Sequence, residues 1–279
     1  MSATLTPEPA PSSGTGEDVA GNCRAHGRQD IAAVVLAGGA GTRIRHLLPD
    51  LPKPLAPVAG QPFLHWVLQY LAGEGIGSIV ISTGYLGDRI EDFVADAGHP
   101  GVQCRREPNP LGTAGGFLFA ADASGLSPDA WLVCNGDSLA LASLEPLVRS
   151  MDDPSCVATI LGVRVDDAAR YGTLELDPSG QLLARFAEKR PGAALVNAGV
   201  YVLRADCVRA LPRSRPLSFE FEVFTTLLDR GAKVAVVAVD APFLDIGTAE
   251  SLRRADQFVR THMVVKNPAS EPSSRRPAR

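Results

Sequence analysis

Short runs of β-branched and other apolar residues alternate along the chain with stretches whose apolar positions recur every three or four residues. The runs at 31–36, 79–82, 131–134, 157–163, 196–203 and 234–239 read as strands. They are apolar almost throughout, which predicts strands covered on both faces in a largely parallel sheet. Pro62 opens a helical pattern with Phe63, Trp66, Val67, Tyr70 and Leu71 on its core face and Gly73 and Gly75 near its end. A last helical pattern carries Leu252, Ala255, Phe258 and Val259. Asp177-Pro178-Ser179-Gly180 is a turn signal between 174–176 and 182–186, hence an inserted antiparallel hairpin. The expectation is an α/β fold, a doubly wound, mostly parallel Rossmann-like sheet with that hairpin added, in a single domain over 30–265.

The flanks break this pattern. Residues 1–29 are rich in Pro, Ser and Gly and nearly free of large apolar side chains, so a disordered tail is expected there. A second tail is expected at 266–279, ending in three arginines. Over 279 residues, 31 Asp plus Glu against 27 Lys plus Arg leave a formal charge of -4, which excludes a strongly basic nucleic-acid binder. No apolar run approaches the roughly 18 residues that span a bilayer, and the N-terminus lacks an export signal. A cytoplasmic protein without nucleic-acid or membrane partners is expected, with a homo-oligomer left open. Cys23, Cys104, Cys134, Cys156 and Cys207 are odd in number and never in a C-x-x-C arrangement, so neither a zinc site nor a disulfide framework is expected.

The chemistry starts where the first strand runs into Leu36-Ala37-Gly38-Gly39-Ala40-Gly41-Thr42-Arg43. Glycines here let backbone N–H groups approach a phosphate closely, although a purely structural turn has the same look. Walker A is excluded because Thr42-Arg43 follows Gly41, and a dinucleotide fingerprint because position 44 is Ile44. Downstream, Pro52 and Pro54 flank Lys53, which predicts a lysine held on a rigid extended segment.

LAGGAGTR followed by PKPLAPV resembles the signature of the sugar-1-phosphate nucleotidylyltransferases, the nucleoside-diphosphate-sugar pyrophosphorylases. Within them the chain is most similar to the bacterial D-glycero-D-manno-heptose 1-phosphate guanylyltransferases. The resemblance continues in order through PLGTAGG (110–116), NGD (135–137), YGT (171–173), Glu188-Lys189, NAG (197–199), SFE (218–220) and FLDIG (243–247). Arg190 departs from it, where many relatives have Pro. It implies attack of a sugar 1-phosphate oxygen on the α-phosphorus of a nucleoside triphosphate, GTP favoured, with loss of pyrophosphate. Arg43, Lys53 and Asp137 are then catalytic, and Asp137 and Asp245 hold Mg²⁺. Leu36, Gly38, Gly39, Gly41, Thr42, Glu107, Gly112 and Thr113 bind nucleotide, and Gly172, Glu188, Lys189, Asn197 and Glu220 bind the sugar phosphate.

The residues carry this chemistry by themselves. Each unit-charge repulsion at 4 Å costs about 4 kcal/mol at an effective dielectric near 20, so fixed cations are the main requirement for joining two polyanions. Arg43, Lys53 and Lys189 supply them. Two carboxylates with phosphate oxygens and water suit Mg²⁺. A phosphate nucleophile, with a second pKa of about 6, needs no general base. Accordingly no Ser-His-Asp arrangement is visible, and His26, His46, His65, His99 and His262 are expected to form no cluster. A Glu107 carboxylate could accept from both N–H groups of guanine's Watson–Crick edge. Mannose 1-phosphate or another nucleotide is the near alternative. A non-catalytic nucleotide-sugar-binding relative is the distant one, expected to have lost one of Arg43, Lys53, Asp137, Lys189 or Asp245, and all five are present.

Overall fold

Residues 30–187, 191–213 and 216–264 are described by the computed structural model; both expected tails, 1–29 and 266–279, lie outside them. The fold grows from β1 (Ile31–Ala37), whose side chains alternate between two cores. Ala33, Val35 and Ala37 face one and Ala32 and Val34 the other, all buried. A strand buried on both sides has to lie between layers of helices.

The chain leaves β1 through the glycine loop and a short 3-10 turn, Arg45–Leu47. Pro49, Pro52 and Pro54 keep a helix from propagating, and a second 3-10 turn forms at Lys53–Leu55. β2 (Pro57–Val58) and β3 (Gln61–Pro62) make a tight hairpin that delivers Pro62 as the N-cap of α1 (Phe63–Gly73). Next come β4 (Ser78–Thr83), α2 (Gly87–Ala97), β5 (Val102–Arg106), α3 (Gly112–Ser124) and β6 (Ala130–Asn135). β4 and β6 flank β1 and β5 lies outside β4, every pair parallel.

The second half adds antiparallel pairs. β7 (Ser138–Ala140), α4 (Glu145–Arg149) and β8 (Cys156–Val165) lead to the expected hairpin, β9 (Thr173–Leu176) against β10 (Leu183–Ala187). β11 (Ala194–Arg204) pairs antiparallel with β6, β8 and β9 and shifts register between Asn197 and Tyr201. After α5 (Ala205–Ala210) and α6 (Phe224–Asp229), β12 (Lys233–Val239) lies parallel to β8. β13 (Phe243–Asp245) pairs with β7, and α7 (Ala249–His262) ends the described chain. The main sheet runs β10-β9-β11-β6-β1-β4-β5, with β8 joined to β11 and β12. It is the expected mostly parallel α/β sheet with helices on both faces, and antiparallel strands enter in its second half.

On one face α1, α2 and α7 bury Phe63, Leu64, Ile90, Val94, Ala255 and Val259. On the other, α3 and α6 bury Phe117, Leu118, Phe224 and Leu227. Each large apolar side chain taken out of water contributes about 1.5–3 kcal/mol. Phe117, Tyr201, Phe219 and Phe224 meet ring to ring, with centroids 5.0 to 5.8 Å apart for the contacting pairs. Cys104, Cys134 and Cys156 lie in strands as small apolar side chains, and burial pushes the Cys134 thiol up to about 12. Among the described residues no helix is long and apolar enough to cross a membrane.

Candidate active site

The carboxyl end of β1 opens on a cavity of about 230 Å³ lined by Leu36, Gly39, Thr42, Arg43, Lys53 and Asp137, among others. Gly41 turns the loop in the left-handed region, at φ +57°, where a glycine is unstrained. Ligands of open α/β sheets collect at this edge.

Lys53 reaches the cavity differently from the expectation. Its segment is a 3-10 turn, not an extended run: Leu55 N donates to Pro52 O at 2.9 Å and Ala56 N to Lys53 O at 3.0 Å. Pro52 is extended, at ψ 149°, but Pro54 fits the second position of the turn, whose N–H is not required. The prolines do fix the lysine, which is buried at 8% exposure.

Two carboxylates meet it. Asp137 lies two residues past β6 and just ahead of β7, and Asp245 is the last residue of β13, opposite Ser138 of β7. Ile246 N donates to Asp137 O at 3.0 Å, so the backbone itself holds the two aspartates side by side. Lys53 Nζ lies 2.6 Å from Asp137 Oδ2 and 3.4 Å from Asp245 Oδ1. Gly247 N also donates to Asp245 Oδ1. A Cβ at Gly247 would fall 2.6 Å from that oxygen and 3.3 Å from Arg43 Nη2, so only glycine lets guanidinium and carboxylate close in here. Arg43, Lys53, Asp137 and Asp245 thus form one charged centre. Glu188 and Lys189 lie outside the described residues.

Gly38, Glu107, Gly112 and Thr113 belong to a second layer. Glu107 Oε1 accepts from Ser82 Oγ at 3.0 Å and Oε2 from Leu111 N at 3.1 Å, while Glu107 N donates to Thr83 O at 2.8 Å. Glu107 Oε1 also packs against Gly38 and Gly116. The carboxylate therefore brackets the glycine loop, β4 and the 110–116 loop together. That second loop is docked in turn on 217–219: Ala114 N donates to Leu217 O at 3.0 Å and Phe219 N to Thr113 Oγ1 at 3.0 Å.

On the far side, Asn197 Nδ2 donates to Tyr201 Oη at 2.8 Å, and Tyr201 Oη donates to Glu220 Oε1 at 3.1 Å. Ser218 Oγ completes the chain on Glu220 Oε2 at 2.8 Å. Burial, with the Glu220 charge next, holds the Tyr201 hydroxyl far above its ordinary range, so it stays a donor. Gly172 is exposed at the edge of this wall, its carbonyl accepting from Asn197 N at 3.0 Å.

A model of the family described as "Nucleotidyl transferase" matches residues 32–262. The chain belongs to that family. It is 37% identical over 229 residues to the mannose-1-phosphate guanylyltransferase of Mycobacterium tuberculosis, covering 80% of this chain and 63% of that one. The D-glycero-alpha-D-manno-heptose 1-phosphate guanylyltransferase of Aneurinibacillus thermoaerophilus is 28% identical, over 81% of this chain and 97% of its own. Among solved structures, HddC from Yersinia pseudotuberculosis complexed with GMP-PN superposes with a TM-score of 0.72 at 31% identity, over 82% of this chain and 98% of that one.

Sequence reasoning missed several residues of this nucleotidyl transferase. Tyr85 N donates to Gly38 O at 3.1 Å, and the Arg45 guanidinium stacks 4.6 Å from the Tyr85 ring centroid at the rim of the glycine loop. Its signal was its place two residues after β4, at the ligand-collecting edge. Tyr201 looked like ordinary strand filling and carries a buried polar link instead. His65 and His99 rings lie 6.3 Å from one another, and His65 is held below its ordinary pKa by burial and then by His99.

Proposed function

We propose that this nucleotidyl transferase joins a sugar 1-phosphate to GTP, with D-glycero-α-D-manno-heptose 1-phosphate as the sugar substrate. The observation that carries the reading is the convergence of Arg43, Lys53, Asp137 and Asp245 at the end of the glycine loop. A phosphate oxygen of the sugar 1-phosphate attacks the α-phosphorus; the bond to the β-phosphate oxygen breaks, and pyrophosphate leaves with the electron pair. Arg43 and Lys53 offset the repulsion between the two polyanions, and glycine-loop amides hold the triphosphate. Chemistry of this kind rests on positioning and charge, with no base required.

Asp137 and Asp245 suit Mg²⁺: two hard oxygen donors within 3.4 Å of one cationic atom, partly open to the cavity, with room left for phosphate oxygens. Bound there, the ion would neutralise charge on the transferred phosphoryl group. The Asn197–Tyr201–Glu220 wall would present acceptors to sugar hydroxyls, with Lys189 on the sugar phosphate.

Heptose is favoured because the heptose guanylyltransferases of Aneurinibacillus thermoaerophilus and Campylobacter jejuni are matched over 97% and 96% of their length. Mannose is the second reading, favoured by the 37% identity to a mannose-1-phosphate enzyme of which this chain spans 63%. For GTP, Glu107 is the base-reading candidate, and the GMP-PN complex of the Yersinia relative supports a guanine nucleotide. Pyrophosphate release with Mg²⁺, four nucleoside triphosphates and a panel of hexose and heptose 1-phosphates tests the reading. We expect the highest kcat/KM for GTP with the heptose, and a Glu107→Gln variant that loses GTP preference over UTP. An equal loss with both nucleotides would leave Glu107 as a bracket only, and no turnover with any pair would end the proposal.

A further inference from the structure

Lys53 stands where two cations have a claim on the same two carboxylates. Its ammonium, 8% exposed, touches both carboxylates that the proposed reading gives to the divalent ion, while Asp137 and Asp245 are 33% and 27% exposed. The lysine is nearly covered, whereas the carboxylates stay a quarter to a third open to solvent. A unit charge and a divalent ion held on the same two carboxylates would repel one another.

The backbones of both aspartates are fixed side by side: Asp245 is paired opposite Ser138, Ile246 N donates to Asp137 O at 3.0 Å, and Gly247 N holds the Asp245 carboxylate. The lysine can give way. Its Cα is held in the 3-10 turn, and its Cβ, Cγ and Cδ run along Gly41, 3.2 to 3.9 Å from where a Cβ on that glycine would stand. The stem therefore already follows the glycine loop, and rotation about its outer bonds carries Nζ from the aspartates towards the loop amides. A buried ammonium does not go without a partner, so a phosphate oxygen has to receive it.

We propose that Lys53 is a placeholder counterion: it neutralises the Asp137–Asp245 pair until a divalent cation takes those oxygens, then turns to the phosphate of the incoming nucleotide. The inference rests on the metal-dependent reading above and deepens it. Its consequence is that the free protein binds metal weakly and binds it well only together with the polyanion that accepts the ammonium.

The test titrates full-length, nucleotide-free protein with Mn²⁺, reading the free ion by electron paramagnetic resonance. Lys53→Met keeps the length of the stem and removes the charge. It should bind Mn²⁺ at least about tenfold more tightly than the wild type, since a unit positive charge beside the ion is gone; equal or weaker binding overturns the proposal. Adding Asp137→Asn to Lys53→Met should abolish the gain, and tight binding that survives it also overturns the proposal. Should Lys53→Met fail to fold, the wild type gives the answer by acetylation and mass spectrometry. The chain has four lysines, Lys53, Lys189, Lys233 and Lys266. At Mn²⁺ concentrations where the same titration shows the metal bound, labelling of Lys53 should rise relative to Lys233, and an unchanged ratio at that occupancy contradicts the handover. None of these readouts needs turnover, so an active enzyme with unchanged Mn²⁺ affinity sinks the handover alone.

Discussion

Lys53 and Asp137 are the two side chains whose removal should be felt most, and for different reasons. On the proposed reading, Lys53→Ala takes away a cation from the meeting point of two polyanions. Asp137→Ala takes away an oxygen that the backbone places beside Asp245. Each should lower turnover by on the order of 10²-fold or more, the usual cost of losing an electrostatic contact made in the transition state. Steady-state pyrophosphate release measures this, and near wild-type rates for both variants would contradict the assignment. The lysine is also the residue for which the same charge removal has opposite effects in two assays: slower turnover and tighter binary metal binding.

Among the elements, β11 does the most to shape the Asn197–Tyr201–Glu220 wall, the proposed sugar side. Its register shifts against β8 between Asn197 and Tyr201, with Gly199 at φ +71° inside the irregularity, and the local bend points Asn197 at Tyr201. Tyr201→Phe leaves the ring cluster intact and strands the Asn197 Nδ2 donor. We expect a loss of about 1–3 kcal/mol in urea denaturation and a raised KM for the sugar phosphate with KM for GTP held. A variant with wild-type stability and KM would show the link to be idle. Strands such as β1 and β6 were legible in the sequence because burial on both faces leaves an unbroken apolar run. β5, β7 and β13 were not: β7 and β13 are only three residues long, and β5 is rich in polar side chains and only partly buried. The prolines around Lys53 signalled rigidity correctly and its geometry wrongly, since a 3-10 turn tolerates Pro where an α-helix interior does not. The meeting of Lys53 with two aspartates 84 and 192 positions away could come only from the family's motif order, because no local pattern encodes a contact at such separation.

Across the whole molecule, the proposed reading divides the labour of a transfer between two anions among the layers. The parallel half, β5-β4-β1-β6, supplies the glycine loop and the Glu107 bracket, and the antiparallel half supplies the Asn197–Tyr201–Glu220 wall. The short β7–β13 pair joins them and fixes the two aspartates at the seam. The 110–116 loop, bracketed by Glu107 and docked on 217–219, ties the two halves into one connected scaffold, in which the proposed nucleotide and sugar sides would be joined. The most direct measurement is anomalous diffraction from crystals grown with Mn²⁺, a non-hydrolysable GTP analogue and the sugar 1-phosphate. The account predicts an anomalous peak bound by Asp137 and Asp245 carboxylates, with Arg43 and Lys53 on phosphate oxygens. A peak elsewhere, with Lys53 still on both aspartates, would contradict it.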